Sequence, residues 1–243
     1  MEHYRLLTLA RSQGGCESRR HIQPILDAAY PRVDKTNGDA FDNYEKREKE
    51  GKLFFSQSDL KEYFSQPATA DQLLGCECQD CSDARDIDNT KLSISTIRDK
   101  LRRLPLFLAL MVYLDRFHYV YLWMQWNVDF GDKSSLPECP GETQLQAKIK
   151  TFQEIAIFRR VYGNALEMFS PVVFKIPEDG ICLLLDCHST KRFPYTDEKS
   201  SIKQGSFGCL TKHEIVPEYL HHTIRARMKD YPSSINDKNN NTV

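Results

Sequence analysis

The segment Leu104-Pro-Leu-Phe-Leu-Ala-Leu-Met-Val-Tyr-Leu114 limits what this chain can fold into more than any other stretch. Such a run without a charge must leave water, and burying each large side chain contributes about 1.5–3 kcal/mol. Asp115, Arg116 and His118 then interrupt it, whereas a membrane span needs roughly 20 mostly uncharged residues. The segment is therefore read as a helix buried on nearly all sides in the middle of a globular fold. Ahead of it, Leu92, Ile94, Ile97, Leu101 and Leu104 form an apolar stripe. Lys91 to about Asn127 thus reads as two consecutive helices or as one helix kinked at Pro105.

Helical spacing recurs elsewhere. Leu60, Tyr63 and Phe64 stand at i, i+3 and i+4 behind Ser58, which is taken as the N-cap. A short helix is expected over Thr69–Leu74, and His21–Tyr30 is expected to be helical up to Pro31. Ile149, Phe152, Ile155, Ala156, Phe158 and Val161 continue the pattern between Leu145 and Met168, with Gly163 as a weak point. Residues 82–90 and 131–142 read as loops, the second from its glycines and prolines. Val172 to Leu185 carries short β-rich runs around the turn sequence Pro-Glu-Asp-Gly, which predicts a hairpin. The fold class is therefore mainly α, a helical domain with a short C-terminal β-hairpin appendage. Four stretches follow: a partly ordered N-terminal segment over 1–52, a helical domain over 53–190, a hairpin over 191–227 and a disordered tail over 228–243.

Charge and cysteine usage narrow the functional classes. A formal net charge of −1 gives no global basic field to attract nucleic acid. Residues 1–20 lack the apolar core of a secretory signal. The eight cysteines are too dispersed for a disulfide scaffold. An intracellular location, cytoplasmic or nuclear, is expected, without a membrane anchor.

The densest chemistry lies in Gly75-Cys-Glu-Cys-Gln-Asp-Cys81. Cys78 and Cys81 have the C-x-x-C spacing of a zinc knuckle, and Cys76 adds a third thiol. Structural zinc takes four ligands, so the fourth would come from Cys16, His21, Cys139 or His118. The alternative is a set of unligated thiols. A redox C-x-x-C lacks the βαβ context it needs. Cys187-His188 stand side by side near a predicted strand, where neighbouring side chains face opposite ways, so they are not a nucleophile and its base. His221-His222 reads as a solvated pair. No G-x-S-x-G, H-E-x-x-H, P-loop or EF-hand pattern occurs.

Gly205, Ser206, Phe207 and Gly208 match the second half of the G-x-G-x-x-G loop with which protein kinases cover nucleotide phosphates. Lys203 stands at the first glycine position, and Leu210 where a valine normally lies under the adenine. With Arg102 to Phe107, Ser170 to Phe174 and Phe193 to Tyr195, the order of features over residues 53–220 resembles the amino-terminal half of a group of fungal protein-kinase-like proteins. The resemblance implies an α-helical accessory region followed by the opening strands of a kinase lobe. Downstream of the loop there is no V-A-I-K lysine, no H-R-D base and no D-F-G metal ligand. The degenerate loop is thus expected to bind no nucleotide, and the chain is expected not to be an enzyme. It would act, if at all, by binding a protein partner. The rival expectations are a zinc-stabilised adaptor or nucleic-acid-binding module centred on Cys76–Cys81, and a truncated gene product without independent function.

Overall fold

The computed structural model describes residues 16–30, 53–86, 93–125, 136–146, 152–171, 173, 192–205 and 208–230. Two units make up the chain, Met1–Ser170 and Pro171–Val243. The described residues are mostly helical, as the apolar spacing requires, and no helix among them is long and apolar enough to cross a membrane.

In the first unit a 3₁₀ turn, Glu17–His21, leads into α1, Ile22–Asp27. The expected helix to Tyr30 stops short: Ala29–Tyr30 is a strand, β1, that pairs antiparallel with β2, Phe54–Phe55. The reason is the pairing itself. Phe54 and Phe55 are fully buried, and Ala28 accepts a hydrogen bond from the Ser56 N–H at 2.8 Å, a long-range constraint that local spacing does not show. Helix α2, Gln57–Phe64, follows at once. Its N-cap is Ser56 and not Ser58: Ser56 is extended, and its hydroxyl accepts the Asp59 N–H at 3.1 Å. Because β2 ends at Phe55, the first free residue takes the cap, and Ser58 hydrogen-bonds to Ser56 instead.

Helix α3, Pro67–Leu74, begins with proline at its first position, where the missing N–H costs nothing. Helix α4, Gln79–Asp86, occupies residues 82–86 where a loop was expected. Cys81 and Ala84 turn inward at i, i+3, and Gln79 bonds Asp83 across one turn at 2.6 Å. Two inward residues hold a helix that its polar sequence alone does not specify.

Of the two readings around Pro105, the chain takes two helices. Helix α5, Ile94–Leu101, is capped by Ser93, and α6, Pro105–Tyr113, starts on the proline. Every residue from Leu106 to Tyr113 is buried. Helix α6 ends in a Schellman motif: the Arg116 N–H reaches the Met111 carbonyl, the Asp115 N–H reaches Val112, and Asp115 holds φ 53°. Helix α7, Tyr119–Gln125, then turns back. After irregular backbone at 136–141 come α8, Glu142–Gln146, and α9, Phe152–Phe169, which continues through Gly163.

Two aromatic groups lock this unit. Phe55 lies 4.7 Å from Phe169 and 5.5 Å from Tyr113, ring centroid to centroid, joining β2, α6 and α9. Trp123 stacks on Tyr162 and meets Phe158 edge-on, both at 5.8 Å. The Tyr162 hydroxyl is satisfied by the Pro137 carbonyl at 2.7 Å.

The second unit contains β3, Tyr195–Gly205, antiparallel to β4, Gly208–Ile215, then a 3₁₀ turn at Pro217–Tyr219 and helix α10, His222–Asp230. Residues 228–230, placed in a disordered tail by composition, belong to this helix. The hairpin expected over residues 172–185 lies outside the described residues, as do Cys187 and His188.

Candidate metal centre

Four thiols meet at one corner of the first unit. The sulfurs of Cys16, Cys76, Cys78 and Cys81 all lie within 4.8 Å of one another. Cys76 lies just past the end of α3, two residues after Leu74, where the Cys76 N–H bonds the Leu73 carbonyl and closes the last turn. Gly75 allows this close turn, since a side chain there would stand 3.1 Å from the Asp71 carbonyl. Cys78 sits immediately before α4 and Cys81 in its first turn. Cys16 arrives from a segment 60 residues away, at the start of the 3₁₀ turn.

The spacing has chemical meaning. Four sulfurs at about 2.3 Å from a tetrahedral ion stand about 3.8 Å from each other. Cys16 Sγ lies 3.7 Å from Cys76 Sγ and 3.9 Å from Cys81 Sγ. Three of the four are buried, at 9%, 1% and 0% exposure for Cys16, Cys76 and Cys81, and Cys78 is half-buried. A polar shell orients them. The Glu17 N–H points at Cys76 Sγ at 3.4 Å, and the buried Ser18 hydroxyl donates to Cys16 Sγ at 3.1 Å. Arg85, one turn after Cys81 on α4, donates to the Cys76 carbonyl at 2.8 Å and the Leu74 carbonyl at 3.1 Å. This fixes the loop between α3 and α4. Arg19 pairs with Asp115 at 3.5 Å, tying the segment that bears Cys16 to the end of α6.

Proton affinities within the cluster diverge. The hydrogen bond from Cys81, helped by Ser18, brings the Cys16 thiol down to about 5. Sharing that bond raises Cys81, and burial pushes Cys78 up to about 11. One sulfur ionises readily and its neighbours then resist, as expected of like charges in contact. A divalent cation removes that resistance and makes all four thiolates compatible.

Of the candidate fourth ligands, the fold brings in Cys16 and sends the others elsewhere. His21 is buried with Nδ1 at 2.8 Å from the Tyr63 hydroxyl, and burial lowers its pKa. His118 packs edge-on against Tyr119 at 4.5 Å, and burial lowers it to about 4. Cys139 is half-buried beside Arg159, with burial raising it to about 11. No sequence signal marks Ser18 or Arg85, because their roles come from backbone and sulfur atoms that only folding brings to them.

The other predicted residues stand apart. Gly205 and Gly208 face each other at the end of the β3–β4 ladder, Lys203 is opposite Leu210, and Ser206 and Phe207 lie outside the described residues. The His221 and His222 ring centroids lie 4.0 Å apart with the planes tilted by 45°, and His221 Nδ1 bonds the Thr223 hydroxyl at 2.9 Å. Compared with protein-family models, curated proteins and solved structures, the chain matches none of them.

Proposed function

We propose that this chain is a non-catalytic, zinc-stabilised helical domain whose work is to bind a protein partner. The observation that carries the zinc assignment is the convergence of four cysteine sulfurs within 4.8 Å. All-sulfur, mostly buried tetrahedral sets suit zinc in structural sites, where no coordination position is left open for catalysis. The ion would join the segment at Cys16 to the α3–α4 corner, which polar side chains otherwise hold. The protein-binding role is supported by the closed ligand set, which makes the centre structural. A kinase-like ancestry is supported by the order of sequence features. The β3–β4 hairpin adds no weight to it, since any two-residue connection flanked by glycines builds the same ladder.

Metal content of the purified chain, measured by mass spectrometry, tests the assignment. One zinc per chain, lost together with most of the melting transition on chelation, is expected. A metal-free chain that cannot be reconstituted with zinc, or a melt indifferent to chelator, would reject it. A red chromophore with bound iron would replace zinc by iron in the same four-sulfur set.

A further inference from the structure

Resting on the zinc assignment, we propose that the four-cysteine centre is also a peroxide-modification site, entered at Cys78, at which two disulfides replace the metal. Exposure is uneven across the ligands. Cys78 is half-buried, whereas Cys16, Cys76 and Cys81 are 9%, 1% and 0% exposed. An oxidant from solvent therefore meets Cys78 first, and thiolate reactivity follows access.

The chemistry closes within the cluster. The Cys78 thiolate attacks one oxygen of hydrogen peroxide. An S–O bond forms, the O–O bond breaks, hydroxide leaves, and sulfur gives up two electrons to become a sulfenic acid. The Cys81 thiolate then attacks that sulfur, forming the S–S bond and expelling a second hydroxide. Cys81 is the resolving partner because it stands at C-x-x-C spacing on the first turn of α4, whereas Cys76 is separated from Cys78 by a single residue. The zinc, now held by two ligands, dissociates. A second peroxide oxidises the remaining pair, Cys16 and Cys76, whose sulfurs are already 3.7 Å apart. The Cys16–Cys76 bond keeps the N-terminal segment fastened across 60 residues. Oxidation thus exchanges a metal staple for a covalent one and liberates zinc without releasing the segment.

The test uses the full chain loaded with zinc, titrated with hydrogen peroxide, with a chromophoric chelator reporting free zinc. Release of the bound zinc, a mass loss of about 4 Da, and peptides linked 78–81 and 16–76 are expected. Cys78→Ser should slow release about tenfold. Wild-type disulfide mapping gives a second readout in case that variant takes up no metal. Zinc retained under excess peroxide, release at an unchanged rate in Cys78→Ser, or a dominant 16–78 or 16–81 link would overturn the proposal while leaving the zinc assignment intact. A chain that binds no zinc before oxidant is added overturns both.

Discussion

The α6 helix and the cysteine corner lie in one folded unit and are held by different physics. Around α6, each residue from Leu106 to Tyr113 is buried, and the surrounding contacts are aromatic and aliphatic. That attraction is non-directional and tolerates small shifts. Between Cys16 and His21 and between Gly75 and Asp86, the chain is largely polar, and N–H···S, Ser18–Cys16 and Arg85–carbonyl bonds add to the burial of a few inward residues such as Cys81 and Ala84. Those bonds are directional, and without a cation the four sulfurs cannot all carry charge at once. The difference teaches that the α6 region is held by apolar burial and the cysteine corner by directional contacts that a bound metal would complete, so they should respond to different perturbations.

The largest effect should come from the apolar side. Phe107→Ala leaves a cavity beside Trp123, whose ring lies 5.9 Å away, and is expected to cost about 3–5 kcal/mol. Denaturant melts should show the same loss with and without zinc, and a loss confined to the zinc-loaded form would erase the distinction between the two regions. Arg85→Ala probes the other side. Removing the tether at the Cys76 carbonyl should weaken zinc binding about 10–100-fold, the range typical of residues that orient metal ligands. Competition with a chromophoric chelator measures this, and unchanged affinity would mean that the four sulfurs are positioned without their shell.

Ser56→Ala removes the α2 cap, on the α6 side of the unit and away from the cysteine corner. A loss of about 1 kcal/mol is expected, equal in the presence and absence of metal. If the loss depends on zinc, coordination reaches further into the fold than the corner. The smallest effect is a pH slope. Burial holds His118 near 4 in the folded chain against 6.5 unfolded, so the unfolded state binds the proton first and stability falls as pH drops from about 6.5 to about 4. His118→Gln should flatten the wild-type slope in that window, measured by thermal melts at stepped pH. An identical slope in the variant would place the acid sensitivity at His21, which burial also lowers, or at loss of metal from the thiolates.

Much of the apolar half was legible from residues alone. Uncharged length predicted that α6 is buried, and Pro105 marked where the helical run is interrupted, with a break and a kink both open, because both consequences depend on neighbours in sequence. The cysteine corner was half legible. Three cysteines within six residues announce a site by spacing, and Cys16 stood among four equal candidates for the fourth ligand. The helical state of residues 82–86 was misread because it depends on Cys81 and Ala84 finding a core to face and on Arg85 finding two carbonyls. The cap falls on Ser56 and not on Ser58 because strand β2, which ends at Phe55, is created by pairing with residues 29–30.

The sequence by itself determined that this chain buries a helical core and carries a thiol-rich turn. These are local properties of composition and spacing. Only the tertiary structure decided which distant residue completes the four-sulfur set and that Cys78 alone of the four is half-buried. Loop closure across 60 residues leaves no periodic trace; it is settled by whichever packing brings the ends together at the lowest cost in entropy.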